Sequence, residues 1–225
     1  MRILLLTDQS PESIHSAIQG IFNRHLRKHA EIRIVRFARG TRHPQHGEGQ
    51  SILPWRYRKW PLLWKLFPPF NLDDYEVVIV RNLFRLLGVL TRPDRIYRLG
   101  FWESFPHSYR RFHEASLTGQ ALWRKRLEYA WRQRRERALL SRCDFYLPIT
   151  ETFRKRFRKE VEIPTHPLPM GVDAQELPPV GASTRHAHNG TLKMLYVGAV
   201  DALRGFDILM PALRHSTVPY ALDIY

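Results

Sequence analysis

Hydrophobic and polar positions near the start of the chain change their period twice. Residues 2–7 form an apolar run, residues 11–28 carry apolar side chains at three- and four-residue spacing, and residues 31–37 alternate. Short apolar or alternating runs predict strands, and helical spacing predicts an amphipathic helix packed against them. The segment therefore predicts the strand–helix–strand crossover of a parallel sheet, a connection that is almost always right-handed.

The same patterns continue along the chain. Further strands are predicted at residues 75–80, 95–102, 144–147, 192–197 and 220–225. Helices are predicted at residues 121–140, from a cap at Thr150 to about Lys159, and at residues 206–214, with a polar loop at residues 39–51 and an extended segment at 161–169. Alternating strands and helices indicate an α/β fold, here a Rossmann-like parallel sheet with flanking helices.

A change of composition marks a domain boundary. From about Gly171 to Gly190 the chain is rich in Pro, Gly, Ala, Ser, Thr and His and has no apolar periodicity, as is typical of a linker. We therefore assign residues 1–168 to a first domain and residues 169–190 to an interdomain linker. Residues 191–225 are then the first strand–helix–strand of a second Rossmann-like domain.

Composition adds a strong charge signal to this picture. The 225 residues are 44% hydrophobic, enough to bury a core, yet they carry a formal net charge of +15. The positive charge is mostly arginine and is concentrated at residues 56–65, 110–142 and 154–159. Such an excess favours anionic partners, whether nucleic acid, acidic lipid or a phosphorylated substrate.

Residues 54–70 interleave aromatic and cationic side chains. Rings at headgroup depth and cations facing anionic lipid are typical of an interfacial membrane anchor. The alternatives are that the rings close over the core while the cations are solvated, and, third, a stacking platform for nucleic acid. The residues that would meet an anionic membrane are Trp55, Arg56, Arg58, Lys59, Trp60, Trp64 and Lys65.

The single cysteine and the hydropathy pattern bear on the compartment. Cys143 cannot form an internal disulfide, and its apolar context favours a core position over a reactive thiol. No apolar stretch approaches the roughly 18 residues that a membrane span requires, and residues 3–6 are too short for a signal-peptide core. We expect a cytoplasmic protein, peripheral at the inner face of a membrane if it binds one.

A strand, a glycine turn and a helix at residues 196–213 give the first candidate site. Backbone N–H groups at such a turn bind phosphate, and Arg204 adds a planar fork that matches phosphate oxygens. Gly198 permits close backbone approach, and Gly205 relieves crowding at the turn. Strand–turn–helix units with one arginine are common, so an ordinary crossover is the alternative.

A second candidate lies just past the predicted strand at residues 95–102, where open α/β sheets bind ligands. There Glu103 can accept hydrogen bonds from substrate hydroxyls, Trp102 can stack on a sugar-like face, and His107 follows. The alternative is a helix-start carboxylate with structural aromatic residues. A weaker candidate is the loop after the first strand, where Ser10 and Ser13 offer hydroxyls at a helix start.

Several common catalytic and nucleotide-binding motifs are missing from the sequence. There is no Gly-x-x-x-x-Gly-Lys loop, no Gly-x-Gly-x-x-Gly, no Gly-x-Ser-x-Gly and no Asp-x-Asp. His43 and His46 have no cysteine or carboxylate pattern nearby that would complete a metal site. We therefore expect neither a metal nor another cofactor.

Five segments, in shared order and spacing, resemble the retaining, GT-B-fold glycosyltransferases of family 4, the glycosyl transferase group 1 type. YRLGFWESFP is similar to a His-Glu-x-Tyr-Pro motif of one branch, with Trp102 at the histidine and Glu103 at the glutamate. PMGVD resembles the interdomain Asn-Gly-Val-Asp, with Met170 at the asparagine. The other three segments are RILLLTD, RRERALLSRCDFYLPITETFRKRF and LKMLYVGAVDALRGFDILMPAL.

The resemblance implies a sugar transfer with retention, from a nucleotide-diphosphate sugar to a glycan or lipid-linked acceptor, as in polysaccharide biosynthesis. Arg204 would neutralise charge on the leaving diphosphate, with Gly198 and Gly205 beside the donor. Glu103 and Trp102 would be catalytic, and Ser10, Ser13 and His107 would meet the acceptor. The family's Glu-x7-Glu region would lie beyond Tyr225, so we expect a fragment that is inactive in transfer by itself.

Two other function classes fit the charge and the fold. One is a nucleic-acid-binding module, which the spread of the basic residues over several elements and the lack of a nucleic-acid motif disfavour. The other is a noncatalytic interaction domain derived from the transferase fold. This second class fits Trp102 and also Ala199, which stands where many family members have a second basic residue.

Overall fold

The computed structural model of the chain describes residues 1–12, 16–117, 122–169, 190–197, 200 and 205–225. The chain divides into two compact units, Met1–Leu177 and Pro178–Tyr225. The interdomain linker predicted at residues 169–190 lies almost entirely outside the described residues, as do Ser13, Gly198, Ala199 and Arg204.

The first unit is built on a seven-stranded sheet with the order β3-β4-β2-β1-β5-β6-β7. Every neighbouring pair is parallel except β3 and β4, which are antiparallel. The strands are β1 (Arg2–Thr7), β2 (Glu31–Ala38), β3 (Gln45–Gly47), β4 (Gln50–Pro54), β5 (Val77–Arg81), β6 (Arg98–Glu103) and β7 (Phe145–Pro148).

Helices connect these strands and cover the sheet. Short 3₁₀ helices lie at Leu26–Lys28 and Leu72–Asp74, and a π-helix lies at Ile18–His25. The α-helices of this unit are α1 (Trp55–Lys59), α2 (Leu63–Leu66), α3 (Phe84–Leu90), α4 (His107–Leu117), α5 (Leu122–Leu140) and α6 (Glu151–Phe157).

Two hydrophobic cores lie on the two faces of the sheet, because side chains alternate along a strand. From β1, Leu4 and Leu6 join the larger core, whereas Ile3 and Leu5 join the smaller one with Phe22. Every β1 residue from Ile3 to Thr7 is buried, as expected for the central strand of a parallel sheet. Cys143 is buried in the larger core, as predicted, and burial raises the pKa of its thiol to about 12.

Two predicted elements differ from the structure. The α-helix predicted at residues 11–28 is wound as a π-helix over Ile18–His25, with the low-propensity Gly20 inside it. It still buries Ile18 and Phe22 as an amphipathic helix should. The polar loop predicted at residues 39–51 contains β3 and the start of β4, which pair as an antiparallel hairpin. β3 does not show the apolar pattern of a strand in the sequence because it is an exposed edge strand with polar residues.

Packing against a neighbouring strand explains why β6 contains a glycine at position 100, which the sequence alone did not reveal. A Cβ atom built at Gly100 would overlap the ring of Phe145, the residue that pairs with it across β6 and β7. The absence of a side chain at Gly100 therefore leaves room for the Phe145 ring beside the strand.

The second unit pairs β8 (Leu192–Tyr196) in parallel with β9 (Tyr220–Ile224), and α7 (Phe206–Arg214) connects them. Gly205 has a φ of 74°, the left-handed region that glycine adopts without strain, directly before α7. The strand predicted as buried at residues 192–197 is exposed or half-buried, and Leu195 is 64% exposed. Within this unit's described residues, only α7 is available to cover its two strands.

Within the described part of the chain, none of the helices is both long and apolar enough to cross a bilayer.

Candidate functional site

Polar side chains from three strands meet at the carboxyl edge of the central sheet. Asp8 follows β1, Asn82 follows β5 and Ser104 follows β6. The Asn82 amide donates to Ser104 Oγ at 2.8 Å and to the Asp8 carboxylate at 3.3 Å, and Ser104 N donates back to Asn82 Oδ1 at 3.0 Å. Asn82 has a φ of 57°, a conformation that asparagine tolerates better than most residues. This is the edge at which open α/β sheets bind ligands.

Trp102 lies below that polar edge and is fully buried. Its ring stacks on Phe22 with centroids 5.8 Å apart, and the Arg81 guanidinium lies 4.9 Å from its centre. Arg81 in turn binds Asp8 at 2.6 Å. The structure therefore gives Trp102 a packing position between the smaller core and an ion pair, and its predicted catalytic role stays a prediction.

Glu103 lies in a group of hydrogen-bonded charged and polar side chains that we call the Arg158 cluster. It consists of Glu103, Ser108, Gln133, Glu136, Tyr146 and Arg158. Arg158 and Glu103 are both fully buried and make a two-bond pair, with the nitrogens at 2.5 and 2.9 Å from the carboxylate oxygens. Tyr146 donates to the same carboxylate at 2.7 Å. Both Glu103 oxygens are thus bound by protein groups, and the predicted catalytic role of Glu103 stays a prediction.

Glu136 completes the Arg158 cluster from α5. Its carboxylate lies 2.7 Å from Arg158 Nη2 and also accepts a hydrogen bond from the Ser108 hydroxyl of α4. Burial raises the pKa of Glu103, and the Arg158 guanidinium partly offsets that rise. Burial also lowers the pKa of Arg158, but Glu103 and Glu136 outweigh it and the net shift is upward. The cluster joins β6, α4, α5 and β7.

A cavity of about 400 Å³ opens beside the Arg158 cluster, and we call it the basic pocket. Residues of α1, α3, α4 and α5 line it together with Asn82 at the sheet edge. The lining residues are Trp55, Arg58, Lys59, Asn82, Leu83, Phe84, Arg85, Leu86, His107, Ser108, Arg111, Trp131, Arg132, Arg135, Glu136 and Leu139. Its size falls in the range of small-molecule sites in proteins.

The charges of the basic pocket are strongly unbalanced. Six of its lining residues are cationic, and Glu136 is the single carboxylate among them. That carboxylate is already bound by Arg158 and Ser108. The pocket therefore presents positive charge to whatever enters it.

His107 is the predicted site residue that the structure does bring to this pocket. In the part of the chain that the structure describes, its Nε2 is buried and has no hydrogen-bond partner. Burial lowers the pKa of the imidazole, and the positive charges of Arg111 and Arg58 lower it further. The negative charges of Asp8 and Glu136 partly offset this decrease. A neutral imidazole nitrogen without a partner can bond a ligand group.

The remaining predicted site residues are apart from this pocket. Ser10 is exposed in the loop after β1 and does not line the pocket, and Ser13 lies outside the described residues. Gly205 belongs to the second unit, where Gly198 and Arg204 are outside the described residues.

Sequence reasoning missed most of the pocket wall. Asp8 and Asn82 were detectable as polar residues directly after apolar strand runs. Arg58, Arg85 and Arg111 come from three different helices, and no spacing rule within one segment links them. The described residues contain no group of three or more His, Cys, Asp or Glu side chains that could hold a metal ion.

The aromatic segment predicted to meet a membrane is divided in the structure. Trp64 is buried in the larger core, where its Nε1 donates to the Tyr57 carbonyl at 3.2 Å. Trp55 is half-buried, with Arg58 over its ring at 4.4 Å. The exposed apolar side chains of this region are Trp60, Leu62, Leu66 and Phe67.

A second exposed apolar surface, which we call the α5 stripe, consists of Trp123, Leu127 and Trp131. Residues four apart lie on one helix face, and these three are 61%, 64% and 60% exposed. Arg124 lies 5.1 Å from the Trp123 ring centre, and Arg135 lies 5.6 Å from that of Trp131. Trp131 also lines the basic pocket, so the stripe reaches its rim.

Comparison with known proteins supports the fold through structure alone. No family model matches the chain, and no curated protein matches it in sequence. A solved E. coli structure, described as trehalose-6-phosphate bound with UDP-2-fluoro glucose, is 13% identical, with a TM-score of 0.54. The match covers 100% of this chain and 64% of the E. coli chain.

A UDP-forming α,α-trehalose-phosphate synthase from Burkholderia vietnamiensis is also similar. It is 11% identical with a TM-score of 0.51, and 99% of this chain matches 62% of that one. The chain thus spans a little under two thirds of the solved proteins it resembles. At such identity the likeness confirms the predicted fold class, the Rossmann-like parallel sheet with flanking helices found in GT-B proteins.

Proposed function

We propose that the chain is part of a glycosyltransferase that moves a sugar from a nucleotide-diphosphate sugar to a glycan or lipid-linked acceptor. The observation that carries the proposal is the basic pocket at the carboxyl edge of the first unit's sheet, in a fold shared with UDP-forming synthases. In our proposal the first unit binds the acceptor and the second begins the donor site. Membership of family 4 and retention of configuration rest on the sequence resemblance.

On the donor side, we assign the leaving diphosphate to the turn before α7. Gly205 adopts a left-handed conformation there, which supports a tight turn at a helix start. Arg204 precedes it, and an arginine fork beside backbone N–H groups matches diphosphate oxygens. Neutralising charge on the leaving group is the contribution that we propose for Arg204.

On the acceptor side, the contacts differ from those expected of the family motif. Glu103 and Trp102 are fully buried, so we assign them to positioning the end of β6. His107 lines the basic pocket with an unbonded nitrogen, and we propose that it contacts the acceptor. Ser10 and Ser13 remain weaker acceptor candidates on the loop after β1.

Nucleotide binding tests the proposed function directly. Uridine, guanosine and adenosine diphosphate would be titrated into the 225-residue chain and followed by saturation-transfer NMR. We expect one of them to bind, and Arg204→Gln to weaken it about 10-fold or more, the loss of a charge-assisted hydrogen bond. The matched control is Arg214→Gln, at the exposed end of α7. If no diphosphate binds, or if both variants behave alike, the donor assignment is wrong.

We further propose that the acceptor is met at an anionic membrane surface. The α5 stripe and the exposed Trp60 support this, since aromatic side chains beside arginines suit the lipid headgroup region. Two pocket residues connect to these surfaces, because Lys59 directly precedes Trp60 and Trp131 belongs to the α5 stripe.

Co-sedimentation with vesicles tests the membrane proposal. Binding to phosphatidylserine-containing vesicles should exceed binding to pure phosphatidylcholine, and the pair Trp123→Ser and Leu127→Ser should reduce it strongly. Ile96→Ser is the matched control, because Ile96 is also an exposed apolar residue of the same unit, 76% exposed, but does not belong to the stripe. Equal reduction by both sets of changes would refute a specific surface.

A further inference from the structure

We propose that the basic pocket binds a phosphate monoester carried by a carbohydrate acceptor. The identification of this ligand as the acceptor rests on the proposed function, but binding of the phosphate does not. Six cations line the pocket, and its single carboxylate, Glu136, is already bound by Arg158. The cations are Arg58, Lys59, Arg85, Arg111, Arg132 and Arg135.

The six cations differ in how far protein groups already satisfy them. Arg132 pairs with Glu128 on its own helix, and Arg58 donates to the Asp8 carbonyl at 2.7 Å. Arg85 and Arg111 make neither an ion pair nor a side-chain hydrogen bond to any residue that the structure describes. Lys59 and Arg135 make none either, but each lies over a tryptophan ring. Of the six cations, Arg85 and Arg111 therefore have the fewest contacts with described protein groups, which leaves them most available to an incoming anion.

The charge and geometry of the cations favour a doubly charged anion. Arg58 is half-buried, and desolvation lowers the pKa of its guanidinium, although Asp8 partly offsets this. An arginine fork binds two phosphate oxygens at once, whereas a hydroxyl offers it a single oxygen. A group with two negative charges also neutralises more of the pocket than a single carboxylate does.

The remaining lining explains why the phosphate should be attached to a sugar. Trp55, Phe84 and Trp131 provide apolar ring faces, on which the C–H face of a sugar can lie. His107 Nε2 and the Ser108 hydroxyl are polar groups on the same wall. The described volume of about 400 Å³ is large enough for a sugar together with its phosphate.

Two sources can supply this chemistry, a soluble sugar phosphate or a phosphate monoester at a lipid headgroup. The experiment therefore has two arms. Isothermal titration calorimetry measures a panel of hexose monophosphates, the unphosphorylated hexoses and inorganic phosphate. Co-sedimentation compares phosphatidylcholine vesicles with and without phosphatidic acid.

Arg85→Gln and Arg111→Gln test the pocket, with Arg126→Gln as the control. Arg126 is an exposed arginine of α5 that does not line the pocket, so the control removes the same charge from the same unit. We expect each pocket variant to weaken binding of at least one hexose monophosphate by about 10-fold or more, and Arg126→Gln to change it less than about 3-fold. Urea unfolding checks that all three variants remain folded.

Three outcomes would overturn the inference. They are that no hexose monophosphate binds, even if phosphatidic acid does, that unphosphorylated hexoses or inorganic phosphate bind as well as hexose monophosphates, or that Arg126→Gln weakens binding as much as the pocket variants. The last result would mean that net charge alone attracts the ligand. Because nucleotide is absent from both arms, these outcomes leave the donor titration of Arg204→Gln as a separate test.

Discussion

Two groups of charged side chains lie side by side in the first unit and differ in how their charge is balanced. In the Arg158 cluster, the guanidinium is held by Glu103 and Glu136, and both Glu103 oxygens are bonded. In the basic pocket, six cations face a cavity whose single carboxylate belongs to the cluster. Glu136 and Ser108 belong to both groups, so the cluster directly adjoins the pocket.

The difference follows from desolvation. Removing a charged group from water costs roughly several kcal/mol of free energy unless protein partners replace its hydration. The Arg158 cluster meets that condition with protein groups. Four of the six pocket cations, Lys59, Arg85, Arg111 and Arg135, are instead exposed to solvent, which supplies their hydration. A matched buried cluster indicates a structural role, and an unmatched concave surface indicates a binding role.

The largest expected effect comes from opening the closed cluster. Arg158→Met leaves Glu103 buried without its cation, and breaking a buried pair costs about 3–5 kcal/mol of unfolding free energy. Arg154→Met is the control, since its pair with Glu151 is on the surface and is worth about 1 kcal/mol or less. Urea unfolding measures both. Similar losses for the two variants would remove the distinction between the cluster and ordinary surface pairs.

A smaller effect is expected where the polar sheet edge meets the pocket. Asn82→Ala loses the bonds to Asp8 and Ser104 and keeps a left-handed φ that alanine disfavours. Asn82→Gly loses the same bonds without that penalty. We expect the alanine variant to be the less stable of the two by about 1–2 kcal/mol. Equal unfolding free energies would show that the local backbone relaxes.

The pH dependence of stability should report on His107. Burial lowers the pKa of the folded imidazole, so the unfolded chain takes up the proton at higher pH. Stability from this group is therefore present above the ordinary value of about 6.5 and is lost as pH falls through the lowered value. His107→Gln should reduce the loss between pH 7.5 and 5.5 in urea unfolding. An unchanged profile would contradict a buried, neutral His107.

The smallest effect on stability is expected from the pocket cations. Arg85→Gln and Arg111→Gln should change the free energy of unfolding by about 0.5 kcal/mol or less, as for surface positions without internal partners. Differential scanning calorimetry would measure the change. A loss as large as that of Arg158→Met would mean that these arginines stabilise the fold and are not free for a ligand.

Much of the fold was predictable because it depends on local patterns. The apolar runs of β1, β5 and β6 and the spacing in α5 specify a parallel sheet with covering helices. The N-cap at Thr150 was also predictable, and its hydroxyl accepts from Phe153 N at 3.0 Å. The β3–β4 hairpin was missed because edge strands carry polar residues.

The site was harder to predict because it depends on contacts far apart in sequence. His107 was identified from its place after a strand end. The partners of Glu103 could not be predicted, because nothing in the local motif reveals Arg158, which is 55 positions away. Arg85 and Arg111 stand in unremarkable helical segments, and only the folded chain brings them to one cavity with His107.

The most direct test of the comparison is an NMR titration of the His107 imidazole with and without a bound hexose monophosphate. His107→Gln identifies the resonance. A dianion placed among the pocket cations should stabilise the protonated ring, so the account predicts that the ligand raises the pKa of His107. A monophosphate that binds the protein while the pKa of His107 stays unchanged would place the anion elsewhere and contradict the account.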